Sequence, residues 1–330
     1  MLEHGGNLLQ ARQQYPDAQQ PWLDLSTGIS PWSWPVTDLP QACWQRLPEY
    51  SDSFSRVVSN YYGVQGLVPV AGSQQAIELL PQLLPPSTVA MPLWGYAEHR
   101  QAWQKAGHQL LTYNSYAHLL GLLDQVEHVL VINPNNPTGE LWDNTALQRL
   151  QQKVAGYLII DEAFIDSCSQ TSMLQHVEQG SLIVLRSMGK FFGLAGMRVG
   201  FVYLPIELKA RFEQRLLLWG LTAPSLYIAE QALSDSAWQI QQQQRIHNMQ
   251  QAMQQLLATR LPDFTIKPGP LFISVAGPYE KLRSIKQQFA QQGIWLRIFA
   301  PQQPDGDGLL RFGLPACIKR CKHSLSNIKL

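Results

Sequence analysis

The feature that most constrains the fold is an alternation of apolar strands and helices through the middle of the chain. Short apolar runs rich in β-branched residues predict strands, and longer mixed runs between them predict helices. Helices are predicted over 74–83 and 97–106, among strands predicted over 67–70, 88–91, 129–132, 157–160 and 182–185. Such alternation is typical of a mainly parallel sheet that helices cover on both faces. We therefore predict an α/β fold.

The rest of the chain predicts a second, smaller domain. Residues 201–204 predict an edge strand, and a helical stretch then reaches 218 before a break near 220–224. A long helix over 226–260 leads to four short strands, over 265–266, 271–275, 294–298 and 309–312. We expect three parts, namely an N-terminal arm over 1–40, a large domain over 41–225 and a small α+β domain over 226–330.

Composition excludes several classes of protein. The chain has 330 residues, 45% of them apolar and 15% charged, with a net charge of +1, which predicts a cytoplasmic enzyme large enough for two domains. The absence of a clustered basic face argues against a nucleic-acid partner. No apolar run approaches the ~20 residues of a membrane helix, and residues 1–20 lack the core of a signal peptide. The four cysteines form no C-x-x-C pair, so we expect thiols and no metal site.

One run of residues after the strand at 182–185 carries the chemistry. Lys190 follows Ser187 by three residues and precedes Arg198 by eight, among glycines. A lysine amine condenses with an aldehyde to form a Schiff base. Serine and arginine side chains hold phosphate, arginine through a forked pair of hydrogen bonds. An aldehyde on a phosphorylated ring describes pyridoxal 5'-phosphate (PLP).

Two further strands end in residues that suit the same ligand. Asp161 follows the strand at 157–160, and Asn136 lies between Pro134 and Pro137 in the loop after 129–132. Ligands of open parallel sheets bind beyond the carboxyl ends of the strands. A carboxylate there keeps the ring nitrogen of PLP protonated, which makes the ring an electron sink. The prolines stiffen the loop, so Asn136 can be aimed at the phenolic oxygen of the ring.

Together these residues resemble the fold-type I PLP-dependent enzymes, specifically their histidinol-phosphate aminotransferase-like branch, over nearly the whole chain. Within that branch, the segments 4–7, 23–31 and 161–166 are similar to those of the threonine-phosphate decarboxylases of cobalamin biosynthesis. Aminotransferases of the branch usually carry tyrosine where this chain has Phe164, and the decarboxylases carry phenylalanine. The resemblance implies a large domain with a mainly parallel sheet flanked by helices and a smaller α+β domain.

The resemblance also implies a role for each matching residue. Lys190 and Asp161 are the expected catalytic residues, and Lys190 is where PLP is attached. PLP is further expected to contact the helix-opening turn and its surroundings, through Gly72, Ser73, Gln74, Tyr96, Asn136, Asp161, Ser187 and Arg198. Trp94 is the alternative to Tyr96 for stacking on the ring. The substrate is expected to meet Arg311 through its α-carboxylate, Arg297 as a second anion site, and also His4 and Gly28.

The implied reaction is the decarboxylation of L-threonine O-3-phosphate to (R)-1-amino-2-propanol O-2-phosphate, by a homodimer with shared active sites. Two alternatives stay open. One is a PLP-dependent aminotransferase acting on histidinol phosphate or a related amine, and the other is an inactive regulatory or assembly protein of the same fold. The chain also departs from the family pattern. Leu47 stands where relatives have a tyrosine that reaches the partner's cofactor, so either Tyr50 replaces it or the contact is lost. Gly28 replaces an asparagine, which puts substrate contact there in doubt.

Overall fold

The computed structural model describes residues 4–36, 38–303 and 306–329. Contacts divide the chain into two compact units. Unit 1 comprises Met1–Trp32, Asn136–Glu140 and Gln242–Leu330, and unit 2 comprises Ser33–Asn135 and Leu141–Gln241. The domain boundaries placed after residues 40 and 225 stay a prediction.

The described residues form the following elements. The α-helices are α1 Leu8–Gln14, α2 Ala42–Gln45, α3 Asp52–Tyr62, α4 Ser73–Leu83, α5 Ala97–Lys105, α6 Tyr116–Leu120, α7 Asn144–Gln151, α8 Ile206–Glu213, α9 Ala223–Ser234, α10 Ser236–Arg260, α11 Tyr279–Gln291 and α12 Lys319–Ser326. The strands are β1 Leu23–Asp24, β2 Val68–Val70, β3 Thr88–Pro92, β4 Gln109–Tyr113, β5 His128–Ile132, β6 Leu158–Asp161, β7 Leu182–Ser187, β8 Gly200–Tyr203, β9 Thr265–Pro268, β10 Phe272–Gly277, β11 Ile294–Trp295, β12 Arg297–Phe299 and β13 Gly308–Gly313. No described helix is long and apolar enough to cross a membrane.

The sheet of unit 2 confirms the predicted α/β class. Among the described residues it has seven strands in the order β2-β8-β7-β6-β5-β3-β4. Strands β3 to β7 run parallel, and β8 is antiparallel to both of its neighbours. The prediction of an edge strand over 201–204 was wrong, because β8 lies between β2 and β7. The edge strands are β2 and β4, and β4 was not predicted, since its residues are mostly half-exposed and form no continuous apolar run.

The core of unit 2 explains why these segments fold as they do. Every residue of β5, β6 and β7 is buried, as expected for inner strands covered on both faces. Helix α4 packs against the sheet through Ala76, Ile77, Leu80 and Leu83, which share one helix face. Each large apolar side chain buried in this way stabilises the fold by roughly 1.5–3 kcal/mol. The buried strands therefore form a rigid support for the polar residues at their ends.

The helix predicted over 226–260 is interrupted, which is a second correction. Helix α9 ends at Ser234 and α10 begins at Ser236. Asp235 causes the break, because its backbone is non-helical and its carboxylate accepts a hydrogen bond from the Trp238 amide at 3.0 Å. An aspartate in this position caps the start of a new helix.

Unit 1 contains an antiparallel sheet of four strands, in the order β12-β13-β10-β9 among the described residues. The N-terminal strand β1 pairs in parallel with β11. A small apolar cluster that includes Ala11, Trp22 and Trp295 holds α1 against this part of the unit. The N-terminal segment is therefore packed within unit 1 from its first helix onward.

Candidate active site

The carboxyl edge of the unit 2 sheet carries three of the residues predicted to bind PLP. Asp161 is the last residue of β6 and Ser187 the last of β7. Asp161 lies opposite Leu185 in the ladder, so the alternation of side chains puts Asp161 and Ser187 on the same face. Lys190 follows in the turn after β7, half-buried. One sheet edge thus brings together the carboxylate, the hydroxyl and the amine.

Asp161 is held by a histidine that the sequence analysis did not select. The carboxylate is 4% exposed, and its Oδ2 atom lies 2.9 Å from Nε2 of His99, itself 3% exposed. Its Oδ1 atom accepts a hydrogen bond from the Ala163 amide at 2.9 Å. A single histidine has no motif, but its place one helical turn after Tyr96 was the available signal.

Lys190 faces an aromatic ring. Its Nζ atom lies 5.4 Å from the centroid of Phe164, which is buried. The next two residues of the turn, Phe191 and Phe192, are also buried and anchor it. Ser187 closes the turn from the other side, since its Oγ atom accepts a hydrogen bond from the Gly189 amide at 3.3 Å. The lysine amine is therefore presented from a fixed turn.

A cradle suited to a phosphate group lies at the start of α4. Gly72 precedes the helix with φ 72° and ψ 157°, and no side chain caps the first amides. A Cβ atom on Gly72 would lie 2.4 Å from Nη2 of Arg198, and one on Gly200 would lie 2.6 Å from the Ser73 amide nitrogen. Both glycines thus allow close approach. Helix N-terminal amides together with a guanidinium bind phosphate.

Tyr96 connects this cradle to Asp161. Its hydroxyl donates to Oε1 of Gln74 at 3.1 Å, and its ring meets the ring of His99 edge-on, with centroids 6.3 Å apart. Burial, together with the carboxylates of Glu98 and Asp161, raises the pKa of Tyr96 to about 12, so it stays neutral. The choice between Tyr96 and Trp94 as the stacking residue stays a prediction.

The loop after β5 is pinned at its start. Asn133 donates from its amide to the Asp161 carbonyl at 2.9 Å, and its side chain bonds both the amide and the carbonyl of Trp142. Asn135 donates to the Trp94 carbonyl at 3.0 Å. These bonds give the loop the rigidity that its prolines predicted.

Unit 1 contains a pair of neighbouring arginines. Arg297 and Arg311 are direct partners across β12 and β13, so their side chains leave the same face of the sheet. Burial and, after it, the charge of Arg297 lower the pKa of Arg311 to about 9, although Asp24 opposes this. Two like charges held side by side gain from a bound anion. The pair therefore has the character of an anion site.

Two of the hydrogen-bond donors of Arg311 are bonded within unit 1. It donates through Nη1 to Oδ1 of Asn136 and through Nη2 to the Ser26 carbonyl. Its buried Nε atom has no hydrogen-bond partner among the described residues. Arg311 thus keeps a donor for a ligand, while Asn136 accepts through its oxygen and keeps its amide group to donate.

Ser26, whose carbonyl accepts from Arg311, also contacts the N-terminal segment. The Gly6 amide donates to Oγ of Ser26 at 2.8 Å, and a Cβ atom on Gly5 would lie 2.3 Å from the Ser26 carbonyl oxygen. His4, directly before these glycines, is exposed, and Gly28 is buried. The substrate roles of His4 and Gly28 stay predictions.

Known proteins resemble this chain in sequence. The family model for class I and II aminotransferases matches residues 47–320. A threonine-phosphate decarboxylase of Pseudomonas aeruginosa is 39% identical over 321 residues, which cover 96% of this chain and 94% of that protein.

Two solved structures share the fold. Histidinol-phosphate aminotransferase of Sinorhizobium meliloti, in complex with PLP, has a TM-score of 0.81 at 18% identity, covering 99% of this chain and 94% of that one. L-threonine-O-3-phosphate decarboxylase of Porphyromonas gingivalis has a TM-score of 0.76 at 15% identity, covering 92% and 98%. The fold is therefore that of the fold-type I PLP enzymes, and this chain belongs to the class I and II aminotransferase family.

Proposed function

We propose that this chain uses PLP to decarboxylate L-threonine O-3-phosphate, giving (R)-1-amino-2-propanol O-2-phosphate for cobalamin biosynthesis. The observation that carries the proposal is the similarity, over 96% of the chain, to a threonine-phosphate decarboxylase. The residues also fit the cofactor, because a buried carboxylate, a lysine in a fixed turn and a glycine-lined phosphate cradle occur in one unit. When bound, PLP supplies the electron sink that accepts the electron pair of the breaking Cα–carboxylate bond.

The unit 2 residues would hold and tune the cofactor. Lys190 provides the amine that binds its aldehyde, and Asp161 keeps a proton on its ring nitrogen. His99 orients Asp161 by a hydrogen bond to Oδ2. The amides at the start of α4 and the Arg198 guanidinium would hold the cofactor phosphate.

The unit 1 residues would select the bond that breaks. Arg311 binds the α-carboxylate through the donor that its unit leaves available, and Arg297 binds the substrate phosphate. By holding the α-carboxylate, Arg311 would orient the Cα–carboxylate bond for cleavage, so that CO2 leaves instead of the α-proton. Asn136 donates its amide to the phenolic oxygen of the ring. Lys190 or a water molecule then delivers the proton that replaces CO2 on Cα.

The aminotransferase alternative differs in the fate of the substrate. An aminotransferase would remove the α-proton and leave the cofactor as pyridoxamine phosphate. Phe164 argues against it, because a tyrosine there would donate a hydrogen bond to the ring oxygen, which phenylalanine cannot do. The inactive alternative requires a broken site, whereas Lys190, Asp161 and Asn136 are all present.

The test is CO2 release from L-threonine O-3-phosphate by the PLP-loaded protein without any keto-acid acceptor. We expect stoichiometric CO2 and amine phosphate, and a loss of several orders of magnitude in Lys190→Ala, because the covalent route is removed. Conversion to pyridoxamine phosphate without CO2 would support the aminotransferase. Unchanged turnover in Lys190→Ala would refute the assignment of the lysine.

We also propose that the enzyme is a cytoplasmic homodimer. Large apolar side chains stand more than half exposed in unit 2, including Trp44, Leu47, Leu217 and Leu218. Contiguous exposed apolar surface marks interaction sites, and these residues fall in two pairs of near neighbours along the chain. Tyr50, 55% exposed, is available to replace the tyrosine missing at Leu47. Sedimentation should give twice the chain mass, and an active species of single-chain mass would contradict the dimer.

A further inference from the structure

A buried ionic cluster lies behind the proposed site, and the mechanism above does not use it. Arg186 donates through Nη1 to Oε2 of Glu162 at 3.3 Å and through Nη2 to Oδ1 of Asp166. All three side chains are less than 8% exposed. Burial alone lowers the pKa of Arg186, but the two carboxylates outweigh it and raise that pKa, so the guanidinium stays charged.

The cluster is adjacent in sequence to the residues that would hold the cofactor. Glu162 follows Asp161, and Arg186 precedes Ser187. The Glu162 amide donates to the Leu185 carbonyl at 2.9 Å, which extends the β6–β7 ladder past Asp161. Because side chains alternate, Asp161 and Ser187 share one face, while Glu162 and Arg186 share the other. The ion pair therefore joins the same two strand ends from behind.

Further contacts tie the cluster to other parts of unit 2. Ser172 donates to Oε2 of Glu162, and the Met173 amide donates to Oε1 at 2.8 Å. The Tyr61 hydroxyl, from α3, donates to Oδ1 of Asp166 at 3.0 Å. The Tyr61 ring also contacts Phe192, with centroids 5.8 Å apart, two residues after Lys190. Tyr61 thus links the cluster to the turn that carries Lys190.

Stability alone is a poor reason for this arrangement. Three charges withdrawn from water lose their hydration, and apolar residues of similar volume often stabilise a core equally well or better. An ionic cluster does fix the relative positions of the groups it joins, because the forked hydrogen bonds of a guanidinium hold definite distances and angles. A small displacement of either strand end would move Asp161 relative to Lys190.

We infer that Arg186 is a positioning residue, which clamps Glu162 and Asp166 so that Asp161 and the Ser187–Lys190 turn keep their relative places. This inference rests on the proposed function, since it concerns the cofactor residues of that site. Arg186 would contact neither cofactor nor substrate. Its effect is expected in cofactor affinity and in the pH response of the bound cofactor.

The test compares two variants with the wild-type protein. The triple variant Arg186→Met, Glu162→Gln, Asp166→Asn removes every charge of the cluster, and Arg186→Lys keeps the charge but loses the fork. Arg283→Met, which removes an exposed arginine paired with Glu280, is the matched control. Three quantities are measured, namely the unfolding temperature without PLP, PLP affinity, and the pH midpoint of the visible absorbance of the PLP-loaded protein.

We expect the triple variant to unfold within a few degrees of wild type, yet to bind PLP about tenfold more weakly. Its absorbance midpoint should shift by about half a pH unit or more, because Asp161 is displaced. Arg186→Lys should show the same changes, and Arg283→Met none. If neither cluster variant folds, Tyr61→Phe, which removes one hydroxyl, should still shift the midpoint.

Wild-type affinity and midpoint in the folded variants would overturn the inference and leave the cluster a purely structural feature. That result differs from failure of the proposed function. If the wild-type protein itself bound no PLP or released no CO2, the function would fail before any variant was compared.

Discussion

Gly72→Ala should weaken the binding of PLP, in addition to the folding free energy that this substitution costs. Gly72 has φ 72° and ψ 157°, a region open almost only to glycine, so alanine costs about 1–3 kcal/mol of folding free energy there. The new Cβ atom would also lie 2.4 Å from Nη2 of Arg198. The guanidinium is the end of a flexible side chain and can move away, but it then leaves the phosphate.

The expected loss of PLP affinity follows from the movement of the Arg198 guanidinium. A hydrogen bond to a charged group contributes about 1.5–3 kcal/mol, so PLP should bind about 10- to 100-fold more weakly. Pyridoxal, which lacks the phosphate, should bind the variant and the wild type equally. Titration of the unloaded protein with each compound, followed by absorbance, measures both affinities.

Two other glycines provide matched controls. Gly180 has φ 74° but a Cβ atom there would meet nothing within 4 Å, so Gly180→Ala should lose folding free energy and keep PLP affinity. Gly196 has open space and ordinary φ, so Gly196→Ala should change neither. Wild-type PLP affinity in Gly72→Ala, or an equal loss in Gly180→Ala, would refute the cradle.

Three further predictions follow from the described contacts. His99→Gln should lower kcat/KM for CO2 release about tenfold, because one charged hydrogen bond to Asp161 is lost; an unchanged value would show that His99 only packs. Arg311→Lys should raise KM for L-threonine O-3-phosphate about 10- to 100-fold, since a lysine cannot replace the fork, and a wild-type KM would exclude Arg311 from the substrate. Burial lowers the pKa of His128 from 6.5 to about 4, so the unfolded chain gains this proton first as the pH falls. Stability should therefore drop by about 3 kcal/mol between pH 6.5 and 4, and His128→Asn should lose that dependence in pH-dependent urea unfolding while exposed His118→Gln keeps it.

The positions of several candidate site residues of unit 2 were predictable because these residues follow strands. Asp161 and Ser187 end buried apolar runs, and the topology of a parallel sheet brings such ends to one edge. The prediction that Lys190 binds the aldehyde came from its place in a glycine-rich turn. The edge strand β4 was not predictable, because a half-exposed strand has no continuous apolar run.

Other features depended on contacts between distant segments. The sequence placed Arg297 and Arg311 on neighbouring strands, but their direct pairing depends on the register of β12 and β13. The bond from Arg311 to Asn136 joins residues 175 positions apart. His99 lacked a motif, and its contact with Asp161 appears only once the chain is folded. Local patterns specify elements, whereas such pairs are specified by packing.

Attachment of PLP to Lys190 can be tested by borohydride reduction, which makes the link between the amine and the aldehyde permanent. The PLP-loaded protein would be reduced, digested and analysed by mass spectrometry. We expect a single phosphopyridoxyl group, on the peptide that contains Lys190. No modified peptide, or modification of a different lysine while Lys190 stays unmodified, would contradict that attachment.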